Sequence, residues 1–208
     1  MFDLFTLIPP STLAAFLAAG IALNLTPGAD VMFATAVGLG GGPRTGAAAG
    51  IGVGLGSLVH VILASVGLAA VIATHPSALT AIRWAGGAYL AWLAIRTWRA
   101  GAPTAGAPRR LTAAQAIGQG FLTNLLNPKV ILFILAFLPQ FTDPARGPVW
   151  AQILILGLLF SLTGMGITAT YGALAGRMGA ALSRRMSILN RAAAVIFGGL
   201  ALRLVAGK

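Results

Sequence analysis

The stretch Asn24-Leu25-Thr26-Pro27-Gly28-Ala29-Asp30 interrupts an apolar run that is long enough to cross a membrane. Proline has no backbone N–H and breaks the hydrogen bonding of a helix interior. Inside a bilayer, a broken helix is tolerated only where the break is buried in protein or lines a cavity. The sequence therefore predicts a first membrane helix that is broken at Pro27, with its unpaired backbone groups facing an internal cavity.

A second break of the same kind occurs later in the chain, at Asn124-Leu125-Leu126-Asn127-Pro128-Lys129. The two breaks are in matching positions, because Asn124 follows Asn24 by 100 residues. Interrupted hydrophobic segments at corresponding places in two halves are the best sequence indication of a transporter's binding site. We therefore expect the two breaks to face each other at one polar site near the middle of the membrane.

The composition is typical of an integral membrane protein. Hydrophobic residues make up 58% of the 208 residues and charged residues only 8%. The acidic residues are Asp3, Asp30 and Asp143, and several apolar runs exceed the roughly 20 residues that cross a bilayer. The formal net charge of +11 does not indicate a nucleic-acid partner, because the arginines lie between apolar runs and form no dense basic patch.

The sequence contains no recognisable set of catalytic or metal-binding residues. The chain has no cysteine, which excludes disulfides, thiolate metal sites and a thiol-redox relay. It contains no phosphate-binding loop, no His-Glu-x-x-His pair and no serine-nucleophile motif. We therefore expect the protein not to be an enzyme, and we expect neither a cofactor nor metal ligands.

The apolar runs predict an all-α integral membrane protein with six transmembrane helices, of which the first and fourth are broken by proline. Residues 100–112 are predicted to be a cytoplasmic linker within a single membrane domain, 1–208. The linker separates the halves 1–99 and 113–208. Because each half has three helices, the second half would enter the membrane from the opposite side, which predicts an inverted repeat. The predicted helices are 11–37, 46–73, 78–98, 113–140, 149–175 and 187–206.

Basic residues are unevenly distributed between the two sides of this six-helix arrangement. The side richer in lysine and arginine is cytoplasmic in most membrane proteins, so both termini are predicted to lie outside the cytoplasm. A sixth helix lying on the membrane surface would instead place the C-terminus inside. The N-terminus lacks the features of a cleaved signal peptide. The richer side has Arg44, Arg96, Arg99, Arg109, Arg110, Arg177, Arg184, Arg185 and Arg191, and the other has Arg83, Arg146, Arg203 and Lys208.

Asp30 and Lys129 are charged residues beside the two breaks. An unpaired charge inside a membrane helix costs about 2.5–3.5 kcal/mol on insertion scales, so each needs a partner or a function. Asp30 is predicted to accept a proton or to bind a substrate amine, and the alternative is that it caps the half-helix after the break. Lys129 is predicted to pair with Asp30 or to bind a substrate carboxylate. Its alternative is a side chain that extends to the membrane surface.

Polar groups beside the breaks suit a zwitterionic substrate. Half-helix N-termini expose N–H groups that favour a carboxylate, and carbonyls freed by proline favour an ammonium group. The alternative is that the side chains only satisfy backbone groups opened by the prolines. His60 is a candidate proton relay, with an interior hydrogen-bonding role as the alternative. The predicted substrate-binding or coupling residues are Asn24, Thr26, Pro27, Gly28, Asp30, His60, Asn124, Asn127, Pro128 and Lys129.

Gly46, Gly50 and Gly54 recur at four-residue spacing in the second predicted helix. Small residues at this spacing let helix backbones approach closely, which is how helices associate in lipid. The favoured interpretation is packing within the chain, and a homodimer face is the alternative. Gly172 and Gly176 suggest the same kind of packing in the fifth predicted helix.

Three stretches resemble the lysine exporter and homoserine/threonine exporter (LysE/RhtB) family of bacterial amino-acid efflux proteins. The resemblance covers nearly the whole chain. The family commonly has Pro-Gly-Pro at the first break, and Ala29 in place of the second proline is expected to soften this break without removing it. The three stretches are residues 24–30 with Pro43-Arg44-Thr45-Gly46, residues 86–92 with Arg96, and residues 121–129 through Phe137-Leu138-Pro139-Gln140-Phe141.

The resemblance implies export of homoserine-, threonine- or lysine-like amino acids or their derivatives across the bacterial inner membrane, driven by the proton gradient. The partners would then be a small amino-acid substrate, a proton and membrane lipid. Two other functions stay open. One is a cation or heavy-metal exporter, for which a single intramembrane acid and no cysteine are a poor ligand set. The other is a non-transporting membrane scaffold that binds a partner protein through the glycines of the second helix.

Overall fold

The computed structural model describes residues 4–74, 76–99 and 110–178, together with residues 191, 194–196, 198–199 and 201–202. Within these ranges the regular structure is helical throughout, without a strand. Two 3-10 turns, Leu138–Phe141 and Pro144–Arg146, lie between the last two long helices. The α-helices are α1 (Leu4–Leu7), α2 (Pro10–Leu25), α3 (Ala29–Gly41), α4 (Pro43–Thr74), α5 (Pro76–Arg99), α6 (Ala113–Leu125), α7 (Pro128–Phe137) and α8 (Val149–Met178).

Both predicted breaks are present, and each is a sharp bend between two half-helices. The α2–α3 pair bends by 51°, and α6 is bent by 55° relative to the segment Pro128–Phe141. Thr26 and Asn127 both have extended backbone conformations, because the residue before a proline is disfavoured in the helical region. Ala29 in place of a second proline has therefore not removed the first break.

Local sequence signals set the other helix boundaries near the site. The φ angle of 87° at Gly42 ends α3, and Pro43 begins α4 at the position where its missing N–H costs least. α6 begins with a capping box, in which Thr112 accepts a hydrogen bond from the N–H of Gln115 and the Gln115 side chain accepts one from the N–H of Thr112.

The described helices contain two to four membrane spans. α8 and the Pro43–Gly67 part of α4 are each long and apolar enough to cross a bilayer, and each bent pair reaches that length when it is counted as one span. α5 has 24 residues but is less apolar, because it includes three arginines. The chain is thus an integral membrane protein whose described part is helical.

Some predictions fall on parts of the chain that the structure describes only in part. Most of the predicted sixth helix, 187–206, and most of the linker, 100–112, lie outside the described residues. Six spans, the inverted repeat and the positions of the termini therefore stay predictions.

Helix α4 packs against α8 and α6 on different faces, and glycines allow the close approach. A Cβ on Gly46 would lie 2.3 Å from the carbonyl oxygen of Gly172 in α8, and a Cβ on Gly52 would lie 2.1 Å from the carbonyl oxygen of Ile117 in α6. Packing within the chain, the favoured interpretation of the glycine repeat, is confirmed. The residues that meet α8 are Gly46, Gly50 and Gly54.

An aromatic core holds α2, α7 and α8 together. Phe133 of α7 stacks on Phe160 of α8 with ring centroids 5.0 Å apart, and on Phe137 at 4.4 Å. Phe16 of α2 stacks on Phe137 at 5.8 Å. All four rings are buried. Phe160 also borders the cavity described below, so this aromatic core forms an apolar part of the cavity wall.

Candidate functional site

Asp30 is held by the opposite helix break. Its Oδ2 atom accepts a hydrogen bond from Asn124 Nδ2 at 2.9 Å and another from Asn127 Nδ2 at 3.0 Å. Both asparagines are buried, with 2% and 5% of their surfaces exposed. The N-cap residue of α3 is Gly28, and no side chain caps that helix. The interpretation of Asp30 as a helix cap is therefore wrong, and its carboxylate instead joins the two breaks.

Lys129 makes the reciprocal connection. Its ammonium nitrogen donates to the carbonyl oxygens of Thr26 at 3.0 Å and Leu23 at 3.4 Å, which are at the first break. Gly28 makes room for it, since a Cβ there would lie 3.3 Å from Lys129 Nζ. Among the described residues there is no ion pair within 4.0 Å between Lys129 and Asp30, so that predicted pairing is wrong. The side chain instead ends against the backbone of the first break, which is not what the alternative of an extended, surface-reaching lysine predicts.

The two charged groups keep hydrogen-bonding capacity for a ligand. Asp30 Oδ1 is buried and has no hydrogen-bond partner in the part of the chain that the structure describes, and the same is true of Asn124 Oδ1. An ammonium group has three N–H donors. Lys129 uses two of them on backbone carbonyls, so one remains. The site thus offers a carboxyl acceptor and an amine donor that border the same cavity.

These groups border a small cavity. Asn24, Gly28, Asp30, Asn127 and Lys129 line it from the side of the breaks, and α4 and α8 form the opposite wall. Its volume is ≈ 30 Å³, room for about two water molecules. An amino acid is several times larger than a water molecule. The cavity must therefore widen before it can take one.

Two other predicted residues have mainly structural contacts. Asn24 lines the cavity but donates from Nδ2 to Phe160 O and to Thr163 Oγ1, both at 3.2 Å, and so attaches α2 to α8. The Thr26 hydroxyl donates to Ala22 O at 2.8 Å on its own helix. Neither contact is to a backbone group that Pro27 or Pro128 leaves unpaired, so these two side chains do not support the opened backbone.

His60, Pro27 and Pro128 do not line this cavity. His60 Nε2 lies 3.3 Å from the carbonyl oxygen of Asn124, the residue whose side chain binds Asp30. The imidazole thus contacts the backbone of a residue that binds Asp30, and not the Asp30 carboxylate itself. The two prolines act through the backbone, because they create the bends that bring the polar residues together.

Two tyrosines satisfy backbone carbonyls beside the breaks. Tyr89 of α5 donates to the carbonyl oxygen of Lys129 at 3.3 Å, and Tyr171 of α8 donates to that of Leu25 at 3.2 Å. Their contacts show how carbonyls near a broken helix are satisfied without water.

Sequence reasoning missed the polar residues on the opposite wall of the cavity. Ser57 of α4 and Ser161 of α8 have hydroxyl oxygens 2.8 Å apart, and Thr168 lies further along the same face of α8. A single serine in an apolar helix gives no spacing signal. Only the packing of α4 on α8 brings the two serines together.

The fold and this site define a multi-span helical membrane protein with a polar cavity between two broken helices. Residues 21–208 match the model of the LysE type translocator family. This match includes both breaks and every predicted site residue. The chain belongs to the LysE type translocator family.

Named relatives are similar over most of their length. The homoserine/homoserine lactone efflux protein of Salmonella typhi is 37% identical, with 88% of this chain and 90% of the relative covered. The leucine efflux protein of an Enterobacter strain is 30% identical, with 86% and 88% covered. An uncharacterised membrane protein of Vibrio cholerae is 33% identical, with 93% and 96% covered. No solved structure matches the chain significantly.

Proposed function

We propose that the protein exports amino acids or their derivatives across the bacterial inner membrane in exchange for protons, with the cavity between the two breaks as the substrate site. The observation that carries this proposal is the reciprocal bonding of the breaks, in which Asp30 is held by Asn124 and Asn127 while Lys129 is held by Leu23 and Thr26. Family membership and the efflux proteins among the relatives support it.

The charges of the site match those of an amino acid. The free Oδ1 of Asp30 is suited to the substrate's ammonium group, and the remaining N–H of Lys129 is suited to its carboxylate. A zwitterion has no net charge, and neither does this pair. With Asp30 ionised, the substrate-bound site therefore has no net charge, which limits the cost of placing ions inside the membrane.

Proton exchange follows from the use of a single carboxylate oxygen. Asp30 Oδ1 holds either a proton or the substrate's ammonium group, because both need the same lone pairs. Each ligand therefore weakens the binding of the other. A proton that arrives from outside releases the amino acid there, and an amino acid that arrives from the cytoplasm displaces the proton inward.

Alternating access requires the two breaks to separate. We assign the motion to rocking of the halves 1–99 and 113–208 about the bends at Pro27 and Pro128. The hydrogen bonds across the breaks are individually modest, so a bound substrate can replace them. The ≈ 30 Å³ cavity corresponds in this scheme to a closed intermediate.

The competing functions have less support. The described residues contain no group of three or more His, Cys, Asp or Glu side chains that could hold a metal ion, and Lys129 would repel a cation. A scaffold that binds a partner through Gly46, Gly50 and Gly54 would need that face free, but α8 occupies it. Transport of a zwitterion is therefore favoured.

The test uses purified protein in proteoliposomes preloaded with labelled homoserine or leucine. Acidification outside should accelerate loss of the label from vesicles with wild-type protein. Asp30→Asn should abolish the acceleration while the protein stays folded, because an amide oxygen can still accept hydrogen bonds from Asn124 and Asn127. Asp143→Asn is the matched control, since this carboxylate lies in a connecting turn with 53% of its side chain exposed, and it should behave as wild type.

Two results would contradict the proposal. Proton-driven efflux that persists in Asp30→Asn would place the coupling carboxylate elsewhere. Absence of amino-acid efflux from wild-type vesicles, with cadmium or a similar ion transported instead, would favour the metal exporter.

A further inference from the structure

The wall of the cavity formed by α4 and α8 has a polar pair that the proposed roles of Asp30 and Lys129 do not use. Ser57 and Ser161 both line the cavity and are buried, with 5% and 1% of their surfaces exposed. Their hydroxyl oxygens are 2.8 Å apart, so one hydroxyl donates to the other.

This pairing differs from what several other hydroxyl groups in the helices do. A serine or threonine in a helix commonly donates to a carbonyl one turn earlier, which satisfies the hydroxyl locally. Ser57 and Ser161 instead bond to each other across two helices. The side chains with the local bond include Thr26, Ser65, Thr123, Thr163 and Thr170.

The pair leaves one donor unused. Each hydroxyl has one O–H donor and two acceptor lone pairs. The serine that donates uses its proton, and the proton of the other serine has no acceptor among the described residues. A buried donor without a partner is costly, so a pair of this kind beside a cavity is suited to a group that enters the cavity and accepts the bond.

We propose that Ser57 and Ser161 bind a hydroxyl group on the side chain of the substrate, so that the protein prefers α-amino acids with short hydroxylated side chains. This inference rests on the proposed function, in which Asp30 and Lys129 bind the ammonium and carboxylate groups. A substrate hydroxyl accepts the unused O–H bond and donates its own proton to a serine oxygen. Because the two serines line the same cavity as Asp30 and Lys129, a short side chain is enough to reach them.

The experiment compares homoserine with 2-aminobutyrate, which is homoserine without its hydroxyl group. Proteoliposomes are loaded with both compounds, each with a different label, and their efflux is followed together. Wild-type protein should release homoserine about two- to tenfold faster, the range expected from one net neutral hydrogen bond. The ratio within one vesicle preparation does not depend on how much protein is folded.

The variants distinguish a pair from a single essential residue. Ser57→Ala and Ser161→Ala should each keep the preference, because the remaining hydroxyl loses its partner and becomes free for the substrate. The double variant should lose the preference and still export 2-aminobutyrate. Ser65→Ala is the matched control, because Ser65 is also a buried serine of α4, but its hydroxyl donates to Ile62 O and does not line the cavity.

Failure of this inference is distinguishable from failure of the proposed function. Equal efflux of the two compounds from wild-type vesicles, or a preference that survives in the double variant, would overturn the hydroxyl subsite alone. Absence of efflux of any amino acid would overturn both. Equal efflux from wild-type vesicles would overturn the subsite even where the double variant does not fold.

Discussion

The ammonium nitrogen of Lys129 lies 3.0 Å from the carbonyl oxygen of Thr26. Thr26 precedes Pro27, so its carbonyl is among the groups that the break removes from regular helix hydrogen bonding. A residue of the second break thus satisfies a backbone group opened by the first. The same lysine is also the cationic group proposed to bind the substrate carboxylate, so the site combines a structural and a binding role in one side chain.

Lys129→Met should abolish export and destabilise the protein. The variant leaves the carbonyl oxygen of Thr26 without its lysine donor, while that of Leu23 keeps the N–H of Thr26 as a donor. A buried polar group that loses its partner costs about 1–3 kcal/mol. The measurements are amino-acid efflux from proteoliposomes and the thermal unfolding midpoint in detergent, both compared with wild type.

Arg146→Met is the control for removal of a positive charge. Arg146 forms an exposed ion pair with Asp143, and such pairs contribute about 0–1 kcal/mol. Its export and unfolding midpoint should therefore stay close to those of wild type. Normal export by Lys129→Met would remove this lysine from the substrate site.

Asn127 has two functions that substitution can separate. Its Oδ1 accepts a hydrogen bond from the N–H of Lys129 and caps α7, while its Nδ2 donates to Asp30. Asn127→Ser should keep the cap but lose the donor, because a serine hydroxyl is too short to reach across the break. Asn127→Ala should lose both, with a further loss of about 0.5–2 kcal/mol from the missing cap.

The measurements for this pair are efflux and thermal unfolding on the same preparations. Asn127→Ser should export more slowly than wild type while unfolding at a higher temperature than Asn127→Ala. If Asn127→Ser exports at the wild-type rate, the hydrogen bond to Asp30 has no part in transport.

The sequence predicted the location of the site better than its internal pairing. Pro27 and Pro128 could be identified because proline has one strong physical effect on a helix, and polar residues near a break are expected to face protein. Partners could not be identified in the same way. Asp30 meets two asparagines 94 and 97 positions away, and Ser57 meets Ser161 104 positions away. Such contacts depend on the rotation of each helix about its axis, which hydrophobic pattern alone leaves undetermined in helices that are apolar on all sides.

His60→Gln should retain export and its dependence on external pH. The imidazole lies 3.3 Å from the carbonyl oxygen of Asn124 and makes no hydrogen bond to Asp30, so a glutamine amide can replace the contact. His60→Leu should remove the contact and lower the free energy of unfolding by about 1 kcal/mol. The measurement is initial efflux rate at several external pH values. Loss of pH dependence in His60→Gln, with efflux preserved, would instead identify His60 as the proton relay.

Gly120→Ala should destabilise the contact between α6 and α4. A Cβ at this position would lie 2.4 Å from the carbonyl oxygen of Ala49, which belongs to the backbone and has little freedom to move. Extra atoms in a closely packed contact typically cost about 1–3 kcal/mol.

Gly118→Ala, two positions earlier in the same helix, is the matched control, since a Cβ there would meet nothing within 4 Å. Alanine is a better helix former than glycine by roughly 0.8–1.0 kcal/mol, so the control should be neutral or stabilised. Thermal unfolding of the two variants side by side separates the effects. Equal midpoints would mean that α6 does not approach α4 as closely as the glycine contacts require, and Asn124 would then lose the support that holds it against Asp30.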